Sequence, residues 1–348
     1  MIALDAPQRT ARVVGSRRTA GVLVTRARNV LRVAMELTKF RLVSLVLVTS
    51  AVGFVLGTAG AVSWGALAIT LVGTGLTAGG SMALNELVEM SRDARMQRTR
   101  HRPLPAGEIG RPVALGLGLG GVVIGTATLA FGTNALTAGL GLTVVATYVL
   151  VYTPLKPVSS VCTLVGAVCG AIPPMRGWSA SAGSLGFGAW VLASILFCWQ
   201  IPHFLALAWL YRDDYARGGF RVLPVLDSSG RATSALANLY IVALMPLGAV
   251  AALGGLTGWS SAMVAAVLGL GLFGFGLELA RTRSERSARR LFLATLVYLP
   301  LVLGALVVNR QQGAVDPVAV DPLRSAPAAN QPAAESVTTA SPSSTTGL

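Results

Sequence analysis

The chain has 348 residues, 53% of them hydrophobic and only 12% charged, with 40 glycines. That balance excludes a water-soluble globular domain, and the repeated apolar runs of about 20 residues have the length that a bilayer's hydrocarbon core demands. A net charge of +14 would suit nucleic acid, but the arginines fall in short segments between apolar runs, as membrane topology places them, so a lipid bilayer is the expected partner and nucleic acid is not.

Residues 1–41 form a basic arm with nine Lys and Arg against two acids. No apolar core with a cleavage site follows, which excludes a secretory signal. An arginine-rich, acid-poor leader has the composition of a mitochondrial transit peptide; a cytoplasmic arm that orients the first span explains the same residues.

Nine apolar spans follow, at about 42–61, 64–84, 112–132, 134–152, 160–176, 186–210, 233–254, 259–280 and 291–308. They predict an all-α integral membrane protein, a bundle of about nine transmembrane helices over residues 42–308. The fifth span is crowded with Gly, Cys and Pro, and Pro173-Pro174 are expected to end it. With a cytoplasmic N-terminus, 25 of the 28 basic residues lie on the cytoplasmic side and only Arg176, Arg310 and Arg324 on the other, which puts the C-terminus outside. The membrane is a bacterial inner membrane or, alternatively, a mitochondrial one. Residues 309–348, rich in Ala, Pro, Ser and Thr, are too poor in apolar surface to fold and are expected to be a disordered tail.

The polar stretch Asn85–Pro105, between the second and third spans, breaks the apolar pattern. If it is helical, Asn85, Glu89 and Asp93 recur at i, i+4 and i+8 and share a face. Three oxygen donors on one face suit a hard cation such as Mg²⁺, and Arg92, Arg95, Arg98, Arg100 and Arg102 supply charge for an anion. A solvated loop obeying the positive-inside rule has the same composition. A second cluster, Tyr211-Arg212-Asp213-Asp214-Tyr215, follows the sixth span on the same side of the membrane. Two acidic clusters at one membrane face can converge on a cavity, and carboxylates at the edge of a bundle are costly unless paired or metal-bound. Together they suggest a metal-bridged phosphate or diphosphate. An apolar membrane cavity beside them would admit an isoprenoid chain and keep water from a carbocation. His203, in the sixth span, is a functional candidate as an intramembrane histidine, unless a neighbouring hydroxyl merely satisfies it. His101 sits among arginines and reads as solvated. Trp199, Gln200 and Trp209 read as packing residues or interface anchors. Cys162, Cys169 and Cys198 lie in apolar segments without metal-ligand spacing and read as packing residues.

Four stretches carry a resemblance: NELVEMSRDARMQRTRHRPLPAG (85–107), YTPLKPVSSVCTLVGAVCGAIPPMRGW (152–178), WQIPHFLALAWLYRDDYARGGFRVLPV (199–225) and SARRLFLATLVYLP (287–300). They resemble the intramembrane prenyltransferases of the UbiA superfamily, and in particular its haem-farnesylating members. The resemblance implies a central cavity capped by cytoplasmic loops, with farnesyl diphosphate and haem B as substrates, haem B not being a prosthetic group. It implies attack of a haem vinyl group on C1 of the farnesyl cation, followed by addition of water to give haem O. It assigns Asn85, Glu89 and Asp93 to Mg²⁺ on the diphosphate. Arg98, Arg102 and Lys156 go to phosphate oxygens, with Arg92 equally placed by charge. Asp214 is the best carboxylate of the second motif and a further metal ligand, Asp213 its weaker neighbour. Tyr211 and Tyr215 stand where the superfamily often has aspartates. Pro157 and Cys162 depart from the pattern, one removing a basic residue and one an asparagine. His203 would meet haem or manage the proton and water, and Trp199, Gln200 and Trp209 would line the porphyrin pocket. Haem A synthase or oxidase assembly factors would be downstream partners. The rival readings are the same chemistry on a quinone precursor or another aromatic acceptor, and a transporter of a lipid or anion.

Overall fold

The computed structural model describes residues 28–311, Val30 excepted. The expected arm before residue 28 and the expected tail beyond residue 311 lie outside the described residues. Those described are helical, apart from loops and one isolated bridge between Thr257 and Arg310. The helices are α1 (Leu31–Leu37), α2 (Phe40–Leu56), α3 (Trp64–Asp93), α4 (Arg111–Gly132), α5 (Ala135–Ala146), a π-helical turn (Thr147–Tyr152), α6 (Thr153–Leu155), α7 (Cys162–Ala182), α8 (Phe187–Leu210), α9 (Arg212–Gly218), α10 (Leu223–Leu226), α11 (Arg231–Leu244), α12 (Leu247–Leu253), α13 (Trp259–Thr282) and α14 (Glu285–Val308).

Seven continuous or nearly continuous helices among the described residues are long and apolar enough to cross a membrane, and the bent pair α1–α2 makes eight. The fifth expected span is α7, which is not among these. Its 21 residues are diluted by Gly, Ser, Pro and Arg176, and most of them are buried by neighbouring helices rather than facing outward. Contrary to expectation, Pro173 and Pro174 do not end it: α7 runs on to Ala182 and stops at Gly183, in the left-handed conformation (φ 74°). A membrane helix tolerates lost backbone donors when neighbours hold it in place. Here α2 does so at very short range. A Cβ on Gly177 would lie 1.8 Å from the Ser50 carbonyl oxygen, and one on Gly53 would lie 2.0 Å from that of Pro174. The seventh expected span is broken at Met245-Pro246 into α11 and α12, where Pro246 lacks a backbone donor.

The core gathers around α8, whose Leu192, Ile195, Trp199, Ile201 and Leu205 are buried between α7, α11 and α14. Large apolar side chains on the outward faces of α4, α13 and α14 remain exposed, among them Phe131, Val267 and Leu296. Outward apolar faces are what a lipid-solvated bundle presents.

Candidate active site

The second helix outlasts its apolar stretch. α3 continues through the polar segment to Asp93, so Asn85, Glu89 and Asp93 do share one face, and all three are buried. The same i+4 ladder extends upstream to Ser81 and Thr77, also buried. Five polar residues thus form one stripe of roughly 24 Å, at 1.5 Å per residue.

Each member of the upper stripe meets a cation from another element. Lys39 Nζ donates to Asn85 Oδ1 at 2.6 Å. Lys156 Nζ is 2.7 Å from Glu89 Oε1, and Arg102 Nη1 is 2.6 Å from Asp93 Oδ2. Lys39 occupies the break between α1 and α2 with φ 49°, a strained value for a non-glycine residue, and a 62° bend turns it toward α3. Lys156 is delivered by the π-helical turn. Pro154 cannot donate to Leu150 and its ring crowds that carbonyl, which favours the wider π register just before it. Thr153 Oγ1 donates to Tyr148 O at 2.7 Å and accepts from Asn85 Nδ2 at 2.9 Å, which sets the orientation of the asparagine amide. The Tyr152 ring lies 4.5 Å from Lys156 Nζ. Burial would lower the Lys156 ammonium, but the Glu89 carboxylate outweighs that and holds it above its ordinary value.

After Asp93 the chain turns through a loop to Gly110. Asp214, at the start of α9, fastens this loop. Its Oδ1 accepts from Gln97 N at 2.7 Å and from Arg217 Nη2 at 2.7 Å, and its Oδ2 accepts from Arg98 N at 3.2 Å. Burial pushes the Asp214 carboxyl up, and the Arg217 and backbone hydrogen bonds more than reverse it, leaving the group below its ordinary value. With the loop fastened, the Arg98 guanidinium lies over the rings of Tyr211 (5.2 Å) and Tyr215 (5.9 Å). Arg92 approaches Gly219. Asp213 is largely solvated, its side chain 85% exposed, and Arg95, Arg100 and His101 are exposed as well.

Thus the structure brings Asn85, Glu89, Asp93, Arg102 and Lys156 into one network and sets the Asp214, Arg98, Tyr211 and Tyr215 group on its loop. Among the described residues no three His, Cys, Asp or Glu side chains stand close enough to share one ion, and the Asp214 oxygens are taken by Gln97, Arg98 and Arg217. The donor set still fits Mg²⁺, which characteristically takes one or two carboxylates and completes its shell from phosphate and water. Glu89 and Asp93 each keep an oxygen without a hydrogen bond among the described residues, beside three cations that an incoming anion would share. Residue-type patterns missed Lys39, Thr153 and Ser81. One signal for the first was present: the chain has 26 arginines and two lysines, Lys39 and Lys156, and both lysines reach this site.

Below the network lies a cavity of about 230 Å³, lined by Tyr148, Tyr152 and His203 and, lower along α3, by Thr77, Ser81 and the Arg176 bonded to Thr77. Trp199 and Gln200 also line it. Trp209 does not; it packs against Gly230 and under the Arg212 guanidinium. The neighbouring hydroxyl expected for His203 is present, and the residue also lines the cavity. Its Nδ1 is 2.9 Å from Thr295 Oγ1, and its ring stacks between Trp199 and Phe292. Thr295 Oγ1 donates to Phe292 O at 2.6 Å, so it accepts from His203, which makes Nδ1 the protonated nitrogen and leaves a lone pair on Nε2. Arg176 is not an outer-loop residue, as its place after the fifth span suggested. It is 1% exposed, inside α7. Cys162, Cys169 and Cys198 are free thiols, and the first two are buried.

Residues 46–299 match the model of the UbiA prenyltransferase family. The chain is 45% identical over 273 residues to the protoheme IX farnesyltransferase of Anaeromyxobacter sp. (strain Fw109-5), covering 78% of this chain and 92% of that protein. It is 39% identical over 287 residues to the protoheme IX farnesyltransferase of Solibacter usitatus, covering 79% of this chain and 98% of that one. Among solved structures, an apo UbiA homologue from Aeropyrum pernix K1 superposes with a TM-score of 0.60 at 18% identity, over 77% of this chain and 97% of that one. A UbiA homologue from Archaeoglobus fulgidus, bound to geranyl diphosphate and Mg²⁺, superposes with a TM-score of 0.50 at 16% identity, over 79% and 99%. At those identities the structures establish a shared fold.

Proposed function

The chain belongs to the UbiA prenyltransferase family, and from that premise we propose how its site works. The protein transfers the farnesyl group of farnesyl diphosphate to a vinyl group of protoheme IX, with addition of water, giving haem O and diphosphate. The observation that carries the mechanism is the row of three partly buried cations, Lys39, Lys156 and Arg102, each against a member of one oxygen-bearing helix face.

The diphosphate enters this row. Lys39, Lys156 and Arg102 bind its oxygens, and Arg98, held over Tyr211 and Tyr215, closes on it from the loop. Arg92 adds charge at the rim. Glu89 and Asp93, with the Asn85 carbonyl, would hold Mg²⁺, which would supply positive charge to neutralise the leaving diphosphate. Asp214 acts by fastening residues 97 and 98, which sets the arginine loop over the site. Asp213 takes no part beyond the surface charge. As the bond between C1 and the diphosphate oxygen breaks, the cations stabilise the departing anion. The farnesyl cation forms against Tyr148 and Tyr152, where the apolar walls keep water away. The vinyl π pair forms the new carbon–carbon bond to C1 and leaves a cation on the carbon next to the ring. Water adds there, and the Nε2 lone pair of His203 takes its proton. The chain is an integral membrane enzyme. Its site opens to the cytoplasm of a bacterial cell, with the N-terminus on that side and the C-terminus outside, and haem O passes on to haem A synthase or an oxidase assembly factor.

The test is mass spectrometry of haem extracted from cells that lack their own farnesylating enzyme and express this chain. Haem O is expected, and Glu89→Ala should abolish it while the protein remains in the membrane. A prenylated quinone precursor in place of haem O, or undiminished haem O from the variant, would overturn the assignment or the role of Glu89 respectively.

A further inference from the structure

Arg176 has no part in the steps above, yet it is among the largest fully buried side chains in the molecule. It lines the same cavity as Tyr152 and His203. Its Nη1 donates to Thr77 Oγ1 at 3.2 Å, and Nε has no partner. Neither a carboxylate nor a backbone carbonyl accepts from the guanidinium among the described residues. Beside it, Gly141 leaves the room: a Cβ there would stand 3.4 Å from Nη1. One turn along α3 from Thr77, the Ser81 hydroxyl is buried, lines the cavity and also lacks a partner.

A guanidinium offers five donors and stays charged. Buried in a membrane bundle with one weak bond, it marks a place where an anion belongs. The diphosphate cannot be that anion, because its cations lie at Asn85 and beyond. Thr77 is eight residues deeper on α3, roughly 12 Å away at 1.5 Å per residue. The farnesyl tail is apolar and has no use for a guanidinium.

We infer that Arg176, with Ser81 beside it, binds a carboxylate of the acceptor at the inner end of the cavity. This rests on the haem-farnesylating reading and deepens it. Protoheme IX carries its vinyl groups on one half of the macrocycle and its propionates on the other. A propionate anchored on Arg176 therefore presents a vinyl edge toward the diphosphate end. The separation along α3 is on the scale of a porphyrin's width. Arg176 is a positioning residue: it selects an acidic tetrapyrrole and sets which edge reaches C1.

Membranes carrying the full chain, given farnesyl diphosphate and either haem B or its dimethyl ester, test this without a variant. The free acid should exceed the ester in kcat/KM by about 10- to 100-fold, the worth of a charge-assisted hydrogen bond pair. Arg176→Met should lose that factor on the free acid and little on the ester. Its KM for farnesyl diphosphate should not change, and Arg176→Lys should recover part of the loss. Equal use of acid and ester by the unmodified protein, or an Arg176→Met variant that still prefers the acid, would overturn the inference while leaving the function intact. If the unmodified protein makes haem O from neither acceptor, the functional reading fails instead. Haem B titration of the purified full chain and of Arg176→Met then decides Arg176 alone: tenfold weaker binding in the variant supports it, and equal binding overturns it.

Discussion

Lys39 and His203 show how differently two single residues enter one site. Lys39 reads in the sequence as one basic residue among nine in an arm. The left-handed backbone at its position and the bend around it turn its ammonium onto Asn85. If it binds diphosphate, Lys39→Met should raise KM for farnesyl diphosphate by about tenfold, the cost of one charge-assisted bond, and Lys39→Arg should restore most of it. His203 acts after the diphosphate has left. His203→Ala should lower kcat by about 10²-fold, the lower end of general-base effects, with KM for farnesyl diphosphate unchanged. Steady-state kinetics with farnesyl diphosphate varied separates the two. A Lys39→Met enzyme with normal KM, or a His203→Ala enzyme defective only in KM, would remove the residue from its assigned step. The spacing Asn85, Glu89, Asp93 was legible because one helix carries all three. The partners Lys39, Thr153 and Thr295 were not, because they come from other elements and no local pattern announces a tertiary contact.

Two helical elements depend on their glycines and prolines in ways that local propensity does not suggest. α7 passes through Pro173 and Pro174 because α2 lies against it backbone to backbone at Gly53 and Gly177. Gly177→Leu would place its Cβ where the Ser50 carbonyl oxygen stands. A loss of about 1–3 kcal/mol is expected, the usual cost of overpacking. Thermal unfolding of the detergent-purified protein measures it, and an unshifted midpoint would show that the helices separate without cost. At the other end of the site, Pro154 and the π-helical turn before it aim Thr153 and Lys156 at α3. Proline in an apolar run reads as a stop; whether it stops, kinks or widens the helix depends on what packs against it.

At the scale of the whole molecule, the first and second motifs meet through Asp214, which joins the loop after α3 to α9. Its carboxyl lies below the ordinary value of 3.8, so the unfolded chain takes up a proton there before the folded one does. The stabilisation is complete above about pH 4 and is lost as pH falls through the folded value. Unfolding midpoints measured from pH 7 down to pH 3 should therefore drop more steeply for the unmodified protein than for Asp214→Asn, which lacks the titration; parallel curves would show that the loop is held by other contacts. Composition alone made this a membrane bundle, because an apolar run of span length has no other solvent, and the i+4 spacing put three oxygen donors on one face on the condition that the stretch is helical, which α3 meets. The quoted motifs carried the family resemblance, since a prenyl diphosphate site is built from short, fixed stretches. Only the tertiary structure decided that Lys39 belongs with Lys156 and Arg102, that Asp214 spends its oxygens on backbone and Arg217, and that Arg176 lies inside the cavity instead of beyond the membrane. Each of those is a contact between helices distant in the chain, set by packing, and packing leaves no periodic trace in a single sequence.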